Sequence, residues 1–135
     1  MEERALLDSG VILQLLSSDR AKRDRVEALL ARRPFVSVQT LNEITHVCRT
    51  NARMSWDDID TFLADIRHFC PVVGLTEHIH DTARRLADRH QMTIDHATVV
   101  ATAIDAGATL VWSEDMRHGL VVEHNVSVAN PFIRD

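Results

Sequence analysis

Four acidic residues stand where short apolar runs of the sequence end, and their carboxylates are suited to holding a cation together. Asp8 follows the run ALL and Asp115 follows TLVW, while Glu43 comes one helical turn after FVSV. Asp95 lies in the first turn of a long apolar segment. Crowded carboxylates repel, which raises their pKa values or demands a cation. An oxygen-only site suits Mg²⁺ or Mn²⁺ rather than zinc, and such ions promote phosphodiester hydrolysis.

Each of these acids also has an ordinary local explanation. Asp8 would cap the helix that follows it, and Glu43 would complete a capping box that begins at Thr40. Asp95 would complement the dipole of its helix, and Asp115 would serve a turn. Each explanation is sufficient for one residue. Together they require four acids to reach one edge of the fold by coincidence, which favours a shared site.

The apolar pattern predicts short strands that alternate with helices. Strands are predicted at 5–7, 35–38, 71–75 and 109–112, with a final hairpin of 121–122 and 126–129. Helices are predicted at 11–16, 20–31 and 40–50, after Ser55, after Thr76, and from Thr93 to Gly107. This alternation predicts an α/β sandwich with a short, mainly parallel central sheet flanked by helices. Ligands of such sheets bind at the carboxyl ends of the strands, where the four acids would meet.

Composition fits one globular domain over 1–135, with 45% hydrophobic and 26% charged residues. The net charge of −5 argues against broad non-specific binding of nucleic acid but leaves room for local basic clusters at 22–33 and 84–89. No apolar run is long enough to span a bilayer, and the acidic start is unlike a signal peptide. We therefore expect a cytoplasmic protein without a membrane partner, in which Cys48 and Cys70 are buried thiols.

Several segments together resemble the PIN domain family, and within it the VapC-like toxin ribonucleases. These segments are LLDSG near the start, NE at 42–43, an acid at the head of an apolar helix, SEDMRHG, and NPF at 130–132. Their order and spacing match over essentially the whole chain. SEDMRHG followed by NPF is the most specific part of the resemblance.

The resemblance implies a compact α/β/α sandwich and a metal-dependent endoribonuclease that uses Mg²⁺ or Mn²⁺. It also implies a homodimer that is silenced by a cognate antitoxin. By position, the metal-binding acidic quartet corresponds to Asp8, Glu43, Asp95 and Asp115. Ser113 corresponds to the hydroxyl residue that orients a ligand or water before the last acid, and Ser9 would assist in the same way. Glu114 is expected to point away from the site.

Two positions depart from the family's usual pattern. Gly10 stands where many members have an asparagine, so the help of an amide in binding metal or phosphate is in doubt. Ile94 stands where many have an aromatic residue, which indicates only a change in packing. His96 and His118 lie next to the predicted site, and we expect both to be bystanders.

Other functions fit the sequence less well. A degenerate PIN fold that acts only through a protein partner stays open, although such a protein would have no reason to keep four clustered acids. A receiver domain would require a phosphoacceptor aspartate after a middle strand and a lysine after a late one, and both are missing. The eight histidines show no recognised zinc spacing. Trp56 and Phe62 fit either core packing or a surface for a dimer or antitoxin.

Overall fold

The structure is a computed structural model that describes residues 4–133. Residues 1–3 and 134–135, which the predicted single domain includes, lie outside the described part. The strands are β1 (Ala5–Leu7), β2 (Val36–Ser37), β3 (Val72–Val73), β4 (Leu110–Trp112), β5 (Val121–Val122) and β6 (Val126–Ala129). The α-helices are α1 (Ser9–Leu13), α2 (Arg20–Leu30), α3 (Val38–Thr50), α4 (Trp56–Phe69), α5 (Glu77–His90) and α6 (Ile94–Ala106). Short 3₁₀ turns cover Gln14–Leu16 and Glu123–Asn125.

The strands form a mainly parallel four-stranded sheet in the order β1-β4-β6-β5, and β2 and β3 form a second, two-stranded sheet beside β1. β1 pairs in parallel with β4 and β4 with β6, while β5 joins β6 antiparallel as the predicted hairpin. The β2–β3 pair is parallel too, and it connects to β1 because the Leu7 N–H donates to the Phe35 carbonyl at 3.0 Å. The predicted α/β class is therefore confirmed. Parallel pairing brings the carboxyl ends of β1, β2 and β4 to one edge.

Helices cover both faces of the sheet because successive residues of a strand point to opposite sides. Leu6 belongs to a core formed with α5, α6 and Val111. Its neighbour Leu7 belongs to a second core formed with helices α1 to α4. The segment 97–103 of α6 is buried all round, as its continuous apolar sequence predicts. This layering is the predicted α/β/α sandwich.

Helix α3 begins earlier than the sequence predicts. Ser37, which ends β2, is its N-cap and accepts a hydrogen bond from the Thr40 N–H at 3.0 Å. Thr40 lies inside the helix and is fully buried. The predicted capping box of Thr40 and Glu43 is therefore wrong, because the favourable cap geometry belongs to the serine three residues earlier. Glu43 consequently lies in the second turn of α3 and has no capping role.

Three smaller expectations can be compared with the structure. Cys48 and Cys70 are free and buried as predicted, and burial raises the pKa of the Cys70 thiol to about 11. Trp56 is 55% exposed, whereas Phe62 packs against the core formed by α1 to α4. Within residues 4–133, every helix is too short or too polar to cross a membrane.

Candidate active site

Asp8 lies at the carboxyl end of β1 and is buried, with 4% of its surface exposed. It is the N-cap of α1 as predicted, because its Oδ1 accepts a hydrogen bond from the Ser9 N–H at 2.8 Å. Its second oxygen faces the neighbouring strand, where Oδ2 accepts a hydrogen bond from the Ser113 hydroxyl at 2.9 Å. Asp8 therefore combines a local capping role with a contact between strands.

Ser113 connects Asp8 to the turn that follows β4. The register pairs Leu7 with Trp112, so the residues that follow the two strands come side by side. The buried Ser113 hydroxyl donates to Asp8 and accepts hydrogen bonds from the N–H groups of Asp115 at 3.2 Å and Met116 at 3.3 Å. One hydroxyl thereby fixes both the buried acid and the backbone that carries Asp115.

Asp115 is exposed, and its carboxylate lies over the start of α1. A Cβ placed on Gly10 would meet Asp115 Oδ2 at 3.2 Å, which is closer than an ordinary van der Waals contact. The absence of a side chain at Gly10 therefore gives the Asp115 carboxylate room to approach Asp8. The departure at this position has a steric consequence in addition to the loss of the family's amide.

Glu43 approaches the same site from α3. Its Oε2 is 3.4 Å from the Ser9 hydroxyl, which donates to it. Its Oε1 is buried and has no hydrogen-bond partner among the described residues. Asp95, in the first turn of α6, is close enough for its charge to affect Glu43. We call the four acids Asp8, Glu43, Asp95 and Asp115 the acidic rim.

The acidic rim is poor in compensating positive charge. Burial raises the pKa of Asp8, and the charge of Asp115 adds to this, while hydrogen bonds from Ser113 and Ser9 oppose it. Burial, followed by the charges of Asp8 and Asp95, likewise raises the pKa of Glu43. No Lys or Arg within residues 4–133 forms an ion pair with a rim acid. The half-buried His96 lowers the pKa of Asp8 and Glu43 by its charge, so it lines the rim.

The rim does not form a complete cage of protein ligands. Across residues 4–133, no group of three or more His, Cys, Asp or Glu side chains is close enough to hold a metal ion. Mg²⁺ usually retains several waters and is bound through one or two carboxylates and substrate phosphates. The oxygen-only donors and the buried, unpartnered Glu43 Oε1 fit such a hydrated ion. The same donors are a poor fit for an ion that requires several direct protein ligands.

The neighbours of Asp115 have other contacts. Glu114 accepts a hydrogen bond from the Gln14 amide and forms an ion pair with Lys22 at 3.4 Å, so it is turned toward α2 as expected. His118 Nδ1 accepts a hydrogen bond from the Asn130 N–H at 3.0 Å. This bond connects the turn after β4 with the NPF segment, and it gives the histidine a structural contact.

The first basic cluster contributes mainly to tertiary structure. Lys22 pairs with Glu114 and lies 5.1 Å from the Phe132 ring. Arg25 donates to the Pro131 carbonyl and lies over the Trp112 ring. Arg32, by contrast, lines a cleft with residues that begin β1 and β4, at the edge opposite the rim. These positions give the cluster no common surface beside the acids.

Sequence reasoning missed two residues at the rim, Gln39 and Arg117. Gln39 lies one turn before Glu43 on α3, and its amide is 3.5 Å from the Asp95 carbonyl oxygen, toward which it donates. Its Oε1 is buried and accepts no hydrogen bond from any residue that the structure describes. The i,i+4 spacing from Glu43 was the available signal. Arg117 lies in the turn after Asp115 and lines a groove beside it, which sequence spacing could not show.

Comparisons with known proteins agree with this architecture. The family model described as PIN domain matches residues 5–121. A toxin–antitoxin complex from Klebsiella pneumoniae superposes with a TM-score of 0.71 at 16% identity, covering 95% of this chain and 98% of that chain. FitAcB from Neisseria gonorrhoeae gives 0.65 at 18% identity and covers 95% and 98%. VapC20 of Mycobacterium tuberculosis, described as a Sarcin-Ricin loop cleaving toxin, gives 0.62 at 18% identity and covers 81% and 88%.

A comparison of the sequence with curated proteins gives no match. The structural likenesses are all below 20% identity and so show a shared fold, whereas the family model spans most of the chain. The family model matches residues 5–121, and the strand order and the two helical layers agree with that match. This chain belongs to the PIN domain family.

Proposed function

We propose that this protein is a metal-dependent endoribonuclease and the toxin component of a toxin–antitoxin pair. It would hydrolyse RNA phosphodiester bonds with Mg²⁺ or Mn²⁺. The observation that carries the proposal is the acidic rim, where Asp8 and Glu43 have raised pKa values and Glu43 Oε1 is buried without a partner. Membership of the PIN domain family supports it, as do structural neighbours described as toxin–antitoxin complexes or as a toxin.

The residues of the rim have distinct roles in this proposal. Asp8, Glu43, Asp95 and Asp115 would hold one or two divalent ions, directly or through water. The chemistry supplied by such an ion would be a water of lowered pKa and stabilisation of charge on the scissile phosphate. Ser113 positions Asp8 through its 2.9 Å hydrogen bond and holds the backbone N–H of Asp115. Ser9 donates its backbone N–H to Asp8 Oδ1 and its hydroxyl to Glu43 Oε2.

The partners in this proposal are RNA, a cognate antitoxin and a second copy of the chain. Trp56 supports a protein interface because the residue is 55% exposed although the Arg49 guanidinium lies 5.1 Å from the centre of its ring. Large exposed aromatic rings are enriched in protein interfaces. We expect light scattering at micromolar concentration to give the mass of a dimer. The mass of a monomer there would contradict the homodimer.

The experiment that tests the enzyme is RNA cleavage by purified, antitoxin-free protein. Wild-type protein should generate new 5′ ends in cellular RNA with Mn²⁺ or Mg²⁺ and none with EDTA. Asp8→Asn should reduce the rate of RNA cleavage by at least about 100-fold. Loss of a residue that only hydrogen-bonds to a metal ligand already reduces metal affinity or activity by about 10–100-fold, and Asp8 is proposed to be a ligand itself. Cleavage that persists unchanged in Asp8→Asn, or in EDTA, would remove the proposal.

The second candidate is a catalytically degenerate PIN module that acts by binding a protein partner. The incomplete ligand cage across residues 4–133 is the observation that favours it. The same assay separates the two functions. A folded wild-type protein that binds its antitoxin but leaves RNA intact with either metal would be such a module.

A further inference from the structure

A groove of about 300 Å³ opens beside the acidic rim, between the loop that connects α5 to α6 and the turn after β4. We call it the flanking groove, and the residues that matter for its chemistry are Met92, Thr93, His96, Asp115, Arg117 and Leu120. Asp115 and His96 belong both to this groove and to the surroundings of the rim. A ligand that occupies the groove would therefore continue directly into the proposed cleavage site.

The size and the floor of the flanking groove suit one nucleoside. Its volume is at the lower end of the range of about 300–1,000 Å³ for small-molecule sites. The apolar part of its lining comes from Met116, which is 7% exposed, and from the partly buried Met92 and Leu120. Thioether side chains adapt their shape and make favourable contacts with aromatic rings. These residues would accept the flat face of a nucleobase without requiring a particular base.

The wall of the groove is fixed by contacts behind it. His90, which also lines the groove, has its Nε2 3.0 Å from a Glu123 carboxylate oxygen. Glu123 in turn pairs with Arg89. These contacts connect the end of α5, on one side of the groove, to the segment between β5 and β6.

Arg117 supplies the charge that a phosphate requires. It is exposed, and its guanidinium forms no hydrogen bond or ion pair with any described residue, although Asp115 is two residues away. Other arginines of the chain are paired, such as Arg84 with Asp81 and Arg89 with Glu123. The acidic rim would repel an RNA backbone. A cation beside it that is unpaired within residues 4–133 would compensate for that repulsion where the strand enters.

We infer that the flanking groove binds the nucleotide next to the scissile phosphodiester of a single-stranded RNA. Arg117 binds its phosphate, and Met92, Met116 and Leu120 contact its base. The base must be unstacked to enter, which restricts the substrate to loops and single strands. This inference rests on the proposed ribonuclease function and specifies the form of RNA that the site accepts.

Binding of a fluorescein-labelled oligouridylate dodecamer tests the inference, measured by fluorescence anisotropy with Mg²⁺ over a series of salt concentrations. All variants are made in the Asp8→Asn protein so that the probe is not cut. Arg117→Ala should weaken binding by about tenfold, as loss of a charged hydrogen bond does. It should also reduce the slope of log K against log salt by about 0.7, the value for one phosphate contact in a single strand.

Two further variants make the test specific. Arg32→Ala removes another exposed arginine, at the opposite edge, that forms no ion pair with the described part of the chain, and it should leave affinity and slope unchanged. Met92→Ala should weaken binding about fivefold with an unchanged slope, because stacking on a base involves no counterion. The inference is overturned if the dodecamer shows no salt-dependent binding, or if Arg117→Ala and Arg32→Ala behave alike.

The wild-type cleavage assay keeps this inference separate from the function on which it rests. If wild-type protein cuts RNA while Arg117→Ala binds the dodecamer normally, the proposed ribonuclease function is supported and the proposed nucleotide binding in the flanking groove is wrong. If wild-type protein cuts no RNA but Arg117→Ala shows the predicted loss of affinity and slope, the groove stands as an RNA-binding site and the ribonuclease falls.

Discussion

Asp8 and Glu123 are two carboxylates whose surroundings act on them in opposite directions. Burial raises the pKa of Glu123, but hydrogen bonds from its own backbone N–H, Arg89 and His90 outweigh it and lower the pKa to about 2. Burial also raises the pKa of Asp8, and there the hydrogen bonds from Ser113 and Ser9 are too few to reverse the effect. Each carboxylate accepts hydrogen bonds, but the donors to Glu123 include Arg89 and His90, whereas the donors to Asp8 are the neutral Ser113 hydroxyl and Ser9 N–H.

The difference indicates what each group of residues is for. The cluster of Glu123, Arg89 and His90 is electrically balanced, so it joins two parts of the fold and needs no ligand. The acidic rim places like charges together without balance, which is destabilising in the absence of a cation. Perturbed carboxylates of this kind concentrate at functional sites. Glu123 is therefore an acid with a structural role, whereas the acidic rim has the unbalanced charge that the proposed divalent ion would neutralise.

Ser113→Ala should have the largest effect on stability, because the Ser113 hydroxyl, in the turn after β4, stabilises the buried Asp8 carboxylate. The change deletes the hydrogen bond to Asp8 and leaves the N–H groups of Asp115 and Met116 without an acceptor. We expect a loss of about 1–3 kcal/mol in the free energy of unfolding and a 10–100-fold fall in cleavage. Urea denaturation and RNA cleavage measure these. Normal values for both would show that Ser113 does not position Asp8.

Asp8→Asn should change stability less, and in the opposite direction. The Asp8 carboxyl has an ordinary pKa of 3.8 in the unfolded chain. Below that pH it is protonated in both the folded and the unfolded protein. As the pH rises through the raised folded pKa, wild-type protein loses stability that the asparagine variant keeps. At neutral pH without metal the variant should be more stable by about 0.5–1.5 kcal/mol, a usual size for a single change. Thermal unfolding against pH measures this.

Millimolar Mg²⁺ should then stabilise the wild type but not Asp8→Asn, since a ligand stabilises only the form that binds it. A wild type more stable than the metal-free variant at neutral pH would contradict the view that the rim is destabilising.

Glu123→Gln is the control for Asp8→Asn, because it removes the charge of a carboxylate whose pKa is lowered instead of raised. It should lower stability by at most about 1 kcal/mol at neutral pH. This difference should vanish as the pH falls from 4.5 through about 2, because the lowered pKa stabilises only the ionised form.

Much of the fold follows from local patterns in the chain. The hairpin of β5 and β6, the cap at Asp8 and the all-round apolar helix α6 could each be predicted, because periodicity and caps depend on neighbouring residues. The start of α3 could not, since Ser37 and Thr40 are both acceptable caps and packing decided between them. The sequence also predicted that the Glu114 side chain points away from the acidic rim. In the structure this side chain contacts Lys22 and Gln14.

The sequence by itself determined the fold class, the order of its elements and four acids at the ends of apolar runs. These features depend on residue type and spacing, which a chain carries before it folds. Only the tertiary structure decided that Ser113 bonds Asp8, that Gly10 makes room for Asp115, and that Arg117 lies beside a groove without an ion pair to residues 4–133. These contacts join residues up to 105 positions apart. Their geometry depends on strand register and helix packing, which no single stretch of sequence contains.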